Sequence, residues 1–217
     1  MATICPTVTA ETPQEYAANL AEVAAFAARI HIDVADSAFT PRQLIMPAQV
    51  YLPQDVMSDI HVMLEEPAKE LMTLISLRPH LVIFHAESKG DLAGCLGALQ
   101  KAGIAAGIAL LPDTQVADAA PLITLADHVL IFAGHLGFQG GTADMNQVQK
   151  IAQIKALNAK AEIAWDGGIN DHNAAELAAA GVDVLNVGGF IHDAADPTAA
   201  YQRLSAAVER PRVQSAN

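Results

Sequence analysis

A histidine and an aspartate stand two positions apart in a short apolar run, and both residue types can do chemistry. His31 and Asp33 alternate with apolar residues, as on a β-strand, so that the imidazole and the carboxylate share one face. Such a pair can hold a metal ion, share a proton or satisfy each other by a hydrogen bond. The spacing by itself leaves these three roles open.

Three later apolar runs end in residues of the same chemistry, namely His61, His85 and Asp166. Imidazoles and carboxylates that converge from separate strands suit zinc or another divalent first-row metal. A carboxylate pair on opposite walls of a site could also move protons on the two faces of a substrate. Because several matching strand ends are hard to explain as unrelated polar groups, we favour one shared site.

Short β-type runs alternate with alanine-rich helical stretches along the whole chain. The predicted strands span residues 3–8, 30–34, 60–64, 81–84, 105–110, 128–132, 162–165 and 182–187. Eight strand–helix pairs without a composition break predict an α/β fold, a single-domain (β/α)8 TIM barrel over residues 1–217, with 209–217 as a polar tail. An open doubly wound sheet would place its glycine fingerprint after the first strand, where this chain has none.

Glycine-rich turns follow the last three predicted strands. Gly167 and Gly168 come after the seventh strand, Gly188 and Gly189 come after the eighth, and a longer glycine-rich loop spans 134–141. Barrels often hold a phosphate on backbone amides at this position, and glycine keeps side chains out of the way of the anion. A tight turn would explain either pair alone, but two neighbouring pairs predict a phosphate site.

The other histidines and the tryptophan are assigned to different surroundings. Trp165 immediately precedes Asp166, so its side chain is expected to point toward the helices as core. His135 lies in the glycine-rich loop and could touch substrate. The histidines expected to face solvent are His80, His128, His172 and His192.

Charge and composition narrow the class of partner. The chain has 217 residues, with 12 Lys and Arg against 24 Asp and Glu, and a formal net charge of -12. This balance argues against nucleic acid or an anionic membrane as the main partner, because either would require basic patches. Backbone amides can still bind an anionic substrate.

Cysteine usage and hydropathy bear on location. Cys5 and Cys95 show no metal-type spacing and no disulfide framework. The sequence has no secretory signal pattern and no apolar stretch long enough to span a bilayer. These features predict a soluble, cytoplasmic protein.

The ordered set of short motifs resembles the ribulose-phosphate 3-epimerase family over nearly the whole chain. The similar segments are 4–7, 31–36, 59–63, 84–87, 107–114, 166–170 and 188–191. The resemblance implies a barrel of the ribulose-phosphate-binding type that acts in the pentose phosphate pathway on a small phosphorylated sugar. It also implies a homo-oligomer.

The resemblance implies a reaction and a role for each matching residue. The reaction would interconvert D-ribulose 5-phosphate and D-xylulose 5-phosphate through an enediolate, with Asp33 and Asp166 as the acid–base pair at C3. One divalent metal, zinc by preference with iron, manganese or cobalt as alternatives, would be held by His31, Asp33, His61 and Asp166. The residues implied to contact substrate are Thr7, His61, Gly140, Gly141, Gly168, Gly188 and Gly189.

Departures from the family pattern leave the identity of the sugar open. They comprise an altered order of residues in the glycine-rich loop together with Thr7, Ala35, Ser37, Arg42, Leu136 and Gly189. A 3-epimerase of another ketose phosphate, such as allulose 6-phosphate, and a non-catalytic sugar-phosphate-binding barrel are the alternatives. Decarboxylation or aldol cleavage in related barrels would require Asp-x-Lys on the second strand, where this chain has His31 and Asp33.

Overall fold

Eight parallel β-strands form a closed barrel in the computed structural model of this chain, which describes residues 2–134, 136–138 and 140–209. The strands follow one another around the ring in chain order, and the eighth pairs with the first. They are β1 (Thr3–Val8), β2 (Arg29–Ala35), β3 (Met57–Met63), β4 (Leu81–His85), β5 (Ala105–Leu110), β6 (His128–Phe132), β7 (Glu162–Asp166) and β8 (Val184–Val187). The predicted (β/α)8 barrel is confirmed.

Helices connect the strands around the outside of the barrel. They are α1 (Pro13–Ala24), α2 (Leu71–Leu77), α3 (Leu92–Lys101), α4 (Ala120–Ile123), α5 (Gln149–Leu157), α6 (Ala174–Ala180), α7 (Gly189–His192) and α8 (Pro197–Glu209). Within the described ranges, no helix is long and apolar enough to cross a membrane. Of the expected polar tail at 209–217, Glu209 is the last residue of α8, and residues 210–217 lie outside the described residues.

Side chains on the two faces of the sheet build two separate cores. Trp165 points outward, is fully buried against the helices, and donates from Nε1 to the carbonyl oxygen of Gly167 at 3.1 Å, which confirms its predicted place. The barrel interior is filled by Cys5, Leu81, Ile83, Ala109, Leu130, Ala164 and Val184. Because this interior core closes the middle of the barrel, a ligand can enter only at one of its ends.

A buried ionic network lies at the N-terminal end of the barrel. Arg29 donates from Nε to Asp59 at 2.7 Å and through both terminal nitrogens to Glu162 at 2.9 and 2.8 Å. His128 Nδ1 lies 2.8 Å from the same Glu162 carboxylate. The expectation that His128 faces solvent is therefore wrong. His128 is the first residue of β6, and its side chain is buried beside the Glu162 carboxylate.

The remaining histidines divide between solvent and protein. His80 and His172 are exposed, as expected. His192 differs from the expectation, because its ring is largely buried and its Nε2 lies 2.7 Å from the carbonyl oxygen of Thr7. This contact joins α7 to the end of β1, next to the mouth of the barrel.

Candidate metal and active site

A cavity of about 430 Å³ opens at the C-terminal ends of the strands. Asp33 and Asp166 line it, and His31 and His61 are fully buried on the same strand ends. The other predicted site residues in its lining are Thr7, Gly140, Gly141, Gly168, Gly188 and Gly189. The fold therefore brings the predicted site residues together, while His135 lies outside the described residues.

His31, Asp33, His61 and Asp166 form one compact cluster, with a ligand atom from each within 4.8 Å of all the others. His31 Nε2 lies 3.4 Å from Asp33 Oδ1 and 3.5 Å from Asp166 Oδ2. His61 Nδ1 lies 3.0 Å from Asp33 Oδ1. Since β2 and β7 stand three positions apart around the ring, the two carboxylates enter the site from different sides.

The cluster fits a divalent cation. His31 is wholly buried, yet within the described part of the chain neither of its ring nitrogens has a hydrogen-bond partner. A buried polar group without a partner is destabilising and calls for an explanation. A cation among two imidazoles and two carboxylates would bond Nε2, the nitrogen of this ring that faces the carboxylates, and the donor set suits zinc or another first-row metal.

A chain of hydrogen bonds continues from His61 away from the cavity. His61 Nε2 lies 2.8 Å from His85 Nε2, and His85 Nδ1 lies 3.2 Å from Glu87 Oε2. The Glu87 carboxylate also accepts from the Leu111 amide at 3.0 Å and from the Thr114 hydroxyl. Burial raises the pKa of Glu87, but the bonds from His85, Thr114 and Leu111 outweigh it and lower the pKa to about 2.

This chain sets the orientation of the His61 ring. Burial, with a smaller contribution from His85, lowers the pKa of His61 to about 3 despite the opposing Asp33 carboxylate, so the ring is neutral. With Glu87 ionised, His85 Nδ1 can donate to this carboxylate, and His85 Nε2 can then accept from His61 Nε2. The unprotonated Nδ1 of His61 then faces Asp33, which is the arrangement that a metal ligand requires.

The two carboxylates of the cluster differ in proton affinity. Burial raises the pKa of Asp166 to about 7, with the Asp33 charge adding to the rise and His31 opposing it. Burial also raises the pKa of Asp33, but the neighbouring His31 and His61 imidazoles outweigh it and leave the pKa below its usual value. Thr9 Oγ1 donates to Asp33 Oδ2 at 2.5 Å. Such a divided pair can serve as base and acid.

Backbone turns converge at the other end of the cavity. Gly168 has a φ of +67°, and a Cβ there would lie 2.0 Å from the amide nitrogen of Ala143. A Cβ on Gly189 would lie 3.2 Å from the Cα of Gly140 and 3.2 Å from a carboxylate oxygen of Asp193. Close approach of the loops thus requires glycine at position 168 and leaves little room for a larger residue at position 189, independently of any anion.

Several cavity residues were not predicted from the sequence. Asn186 lines the cavity from β8, and its only local signal is a polar residue inside an apolar strand. Arg203 reaches the glycine end from α8, with its guanidinium 5.6 Å from the ring centroid of Phe190. No local pattern could have identified Arg203, because the end of the chain packs against the site only in the folded barrel.

The family departures Ala35 and Arg42 do not line the main cavity themselves. Arg42 pairs with Glu11, and its guanidinium lies 5.1 Å from the ring centroid of Phe138, a residue that lines the cavity. Ala35 is buried against Leu44 and other apolar side chains. Neither residue belongs to the lining of the main cavity.

Comparison with known proteins agrees with this arrangement. A family model described as the ribulose-phosphate 3 epimerase family matches residues 3–192. A ribulose-phosphate 3-epimerase of Mycobacterium leprae is 31% identical over 193 residues, which cover 85% of each chain. Another from Mycobacterium bovis is 30% identical over 207 residues, covering 88% of this chain and 90% of the relative.

Solved structures share the barrel. A 3-hexulose-6-phosphate synthase from Salmonella typhimurium has a TM-score of 0.71 at 18% identity, covering 95% of this chain and 98% of its own. That likeness concerns the fold. The match to the family model, by contrast, spans all eight strands and every member of the His–Asp cluster. The chain therefore belongs to the ribulose-phosphate 3-epimerase family.

Proposed function

We propose that this protein is a metal-dependent epimerase that inverts C3 of a ketose phosphate, with D-ribulose 5-phosphate and D-xylulose 5-phosphate as the substrate pair. The observation that carries the proposal is the divided carboxylate pair, in which Asp33 and Asp166 flank His31 in one cavity. The relatives named as ribulose-phosphate 3-epimerases support the choice of sugar.

The two carboxylates would transfer the proton at C3. Asp33, whose pKa is lowered, acts as the base that removes the C3 proton and leaves an enediolate. Asp166, which enters the cavity from the other side of the ring, returns a proton to the opposite face of C3. The configuration inverts, one proton leaves and one arrives, and the two residues exchange roles in the reverse direction.

The metal ligands of the proposal are His31, Asp33, His61 and Asp166. When bound, a divalent cation, zinc by preference with iron, manganese or cobalt as alternatives, would acidify the C3 proton and stabilise the negative charge of the enediolate. Around it, Thr9 holds the Asp33 carboxylate, and His85 holds the His61 ring.

The phosphate of the sugar would lie at the glycine end of the cavity. Backbone at Gly140, Gly141, Gly168, Gly188 and Gly189 would line it, as barrels of this type commonly bind phosphate there. Arg203 supplies a positive charge at the same end. Thr7 and His61 would contact the sugar between this end and the metal.

Epimerisation in deuterated water tests the proposal. The protein is given D-ribulose 5-phosphate, and NMR follows xylulose 5-phosphate and deuterium at C3, beside Asp33→Asn and Asp166→Asn. Both variants should lose turnover. Asp118→Asn, which changes an exposed carboxylate outside the cavity, is the matched control and should keep it.

Two further results bear on the metal and on the alternatives. Removal of metal by a chelator should abolish turnover, and re-addition of zinc, iron, manganese or cobalt separately should rank the ions. A higher kcat/KM for allulose 6-phosphate than for ribulose 5-phosphate would overturn the proposed substrate and make allulose 6-phosphate the substrate instead. Metal-loaded protein that binds ketose phosphates without turnover or exchange would contradict catalysis and favour a binding protein.

We also propose that the protein is cytoplasmic and forms a homo-oligomer. Cys5 and Cys95 are buried free thiols, which suits a reducing cytoplasm. We expect a homo-oligomer, as the family resemblance implies, and light scattering on the purified protein measures its mass.

A further inference from the structure

Asn186 is a buried side-chain amide without a hydrogen-bond partner beside the His–Asp cluster. Only 2% of the Asn186 surface is exposed, and within the described ranges neither Oδ1 nor Nδ2 makes a hydrogen bond. Among the described residues, His31 shares this feature, and the cation of the proposed function accounts for it; Asp59, His128 and Gln147 each have one unpaired polar atom and keep a partner through the other. A fully unpaired buried amide is unusual in a native protein and requires an explanation.

The strand register directs the Asn186 side chain toward the cavity rather than toward the helices. Asn186 stands opposite Asp166 on β7 and opposite Cys5 on β1. Residues opposite each other in a parallel sheet point to the same face, and Asp166 and Cys5 both face the barrel interior. Asn186 accordingly lines the cavity next to the raised-pKa carboxylate.

Along β8, Asn186 lies between the acid–base end of the cavity and the glycine end. Gly188 and Gly189 follow it by two and three residues, a distance of about 7–10 Å along the strand. In a ketopentose 5-phosphate the reacting carbon is C3 and the phosphate is on C5. The group between them is C4 with its hydroxyl.

We infer that Asn186 binds the C4 hydroxyl of the ketose phosphate and selects substrates that carry it, an inference that rests on the proposed function. A hydroxyl both donates and accepts a hydrogen bond, and the side-chain amide of Asn186 offers a free acceptor oxygen and a free donor nitrogen to match it. The substrate hydroxyl would thus be the hydrogen-bond partner that the Asn186 side chain lacks within the described part of the protein. A site built to bond a hydroxyl discriminates strongly against an analogue that lacks it.

A cycle of two enzymes and two substrates tests the contact. Wild type and Asn186→Leu are each assayed with D-ribulose 5-phosphate and with its 4-deoxy analogue, in the metal-loaded protein. Loss of either partner should lower kcat/KM by about 10- to 100-fold, and loss of both should cost no more than loss of one. Metal content should be unchanged, and the thermal midpoint should stay level or rise, because an unpaired buried amide has been removed.

NMR of the Asn186 side-chain amide gives a reading that needs no turnover. The Nδ2 signals, assigned by their absence in Asn186→Leu or in Asn186→Ala if the first variant does not fold, should shift with the ketose phosphate. They should not shift with inorganic phosphate or with the 4-deoxy analogue. The amide of Asn158, which bonds the carbonyl oxygens of Ile123 and Ala126 outside the cavity, is the control and should not move.

The outcomes separate this inference from the proposed function. If the wild type turns over D-ribulose 5-phosphate but the two losses in kcat/KM multiply in the double change, the Asn186 contact is overturned and the epimerase function is kept. Absence of wild-type turnover with a selective shift of the Asn186 signals would overturn the epimerase and keep the sugar contact. Absence of both would overturn both.

Discussion

The Nε2 atoms of His61 and His85 lie 2.8 Å apart, which joins a residue of the His–Asp cluster to a histidine outside it. This contact passes through His85 to Glu87, which is anchored by the Leu111 amide and the Thr114 hydroxyl. Metal-binding histidines generally depend on such outer partners for their tautomer and ring orientation. The His61 ring is therefore held in place before any ligand arrives.

Substitution of Glu87 should weaken metal binding without removing a ligand. In Glu87→Gln the side chain keeps one acceptor oxygen for three donors, so His85 and then His61 lose their fixed orientation. We expect zinc affinity to fall by about 10- to 100-fold, measured by competition with a chromophoric chelator. Glu65→Gln, which breaks only an exposed bond with Lys89, is the matched control. Equal affinity in the Glu87 variant and wild type would contradict a role for the chain.

The raised pKa of Asp166 predicts how the metal-free protein responds to pH. The folded pKa of about 7 exceeds the ordinary value of 3.8, so between these values the folded state binds more protons than the unfolded state. Asp166 therefore makes the free energy of unfolding fall as pH rises from about 4 to 7, whereas His61, whose pKa is lowered to about 3, makes it rise below about pH 6.5. Asp166→Asn removes only the Asp166 contribution, so at pH 8 the variant should be more stable than wild type, and the difference should shrink toward pH 5.

Urea unfolding at pH 5, 7 and 8 in the presence of a chelator measures the difference. Asp171→Asn, which changes an exposed carboxylate, should follow wild type at every pH. With saturating metal the order should reverse, because wild type keeps a ligand that the Asp166 variant lacks. A metal-free Asp166→Asn that is less stable than wild type at pH 8 would contradict the assigned shift.

Arg203 should contribute to binding of the phosphate and not to the chemical step. Arg203→Ala removes the positive charge at the glycine end of the cavity. Because the side chain is exposed, we expect KM for the sugar phosphate to rise only about 3- to 10-fold, with kcat unchanged. Arg203→Lys should recover part of the loss. Steady-state kinetics at low and moderate salt measure the effect, and an unchanged KM in the alanine variant would count against this role.

Gly168 should be required for packing of the loops as well as for its backbone conformation. Its replacement by alanine would force a Cβ against the amide of Ala143, so we expect destabilisation of about 3 kcal/mol and weaker sugar-phosphate binding. Gly103→Ala is the matched control, because Gly103 has a φ of +78° but open space around it. That variant should lose only about 1 kcal/mol. Urea unfolding measures the free energy of unfolding of both variants. If both lose the same amount, the effect at Gly168 is backbone strain alone and the predicted steric role in loop packing is wrong.

Local patterns predicted most of the sheet. The strands at 3–8, 105–110 and 128–132 have the predicted bounds, because continuous apolar runs between turns leave little choice of ends. The third strand begins at Met57, three residues before its apolar core, because its first residues are ordered by pairing with β2. The four-residue helices α4 and α7 were missed, because a single helical turn has no period to detect.

The sequence by itself determined the chemistry available at the strand ends. Strand alternation is a local property, so it placed His31 and Asp33 on one face before any fold was known. The count of eight strand–helix pairs then brought His61 and Asp166 to the same mouth. Both conclusions depend only on periodicity and on the rule that strand ends of a barrel share one face.

Only the tertiary structure decided how these groups are paired and which other residues join them. The burial of His128 beside Glu162, the bond between His61 and His85, and the unpaired amide of Asn186 depend on strand register and ring closure. Arg203 lies 37 residues beyond Asp166 and reaches the same cavity only because α8 packs back beside β1. Partners and proton affinities in this protein are set by contacts distant in sequence, which no local pattern encodes.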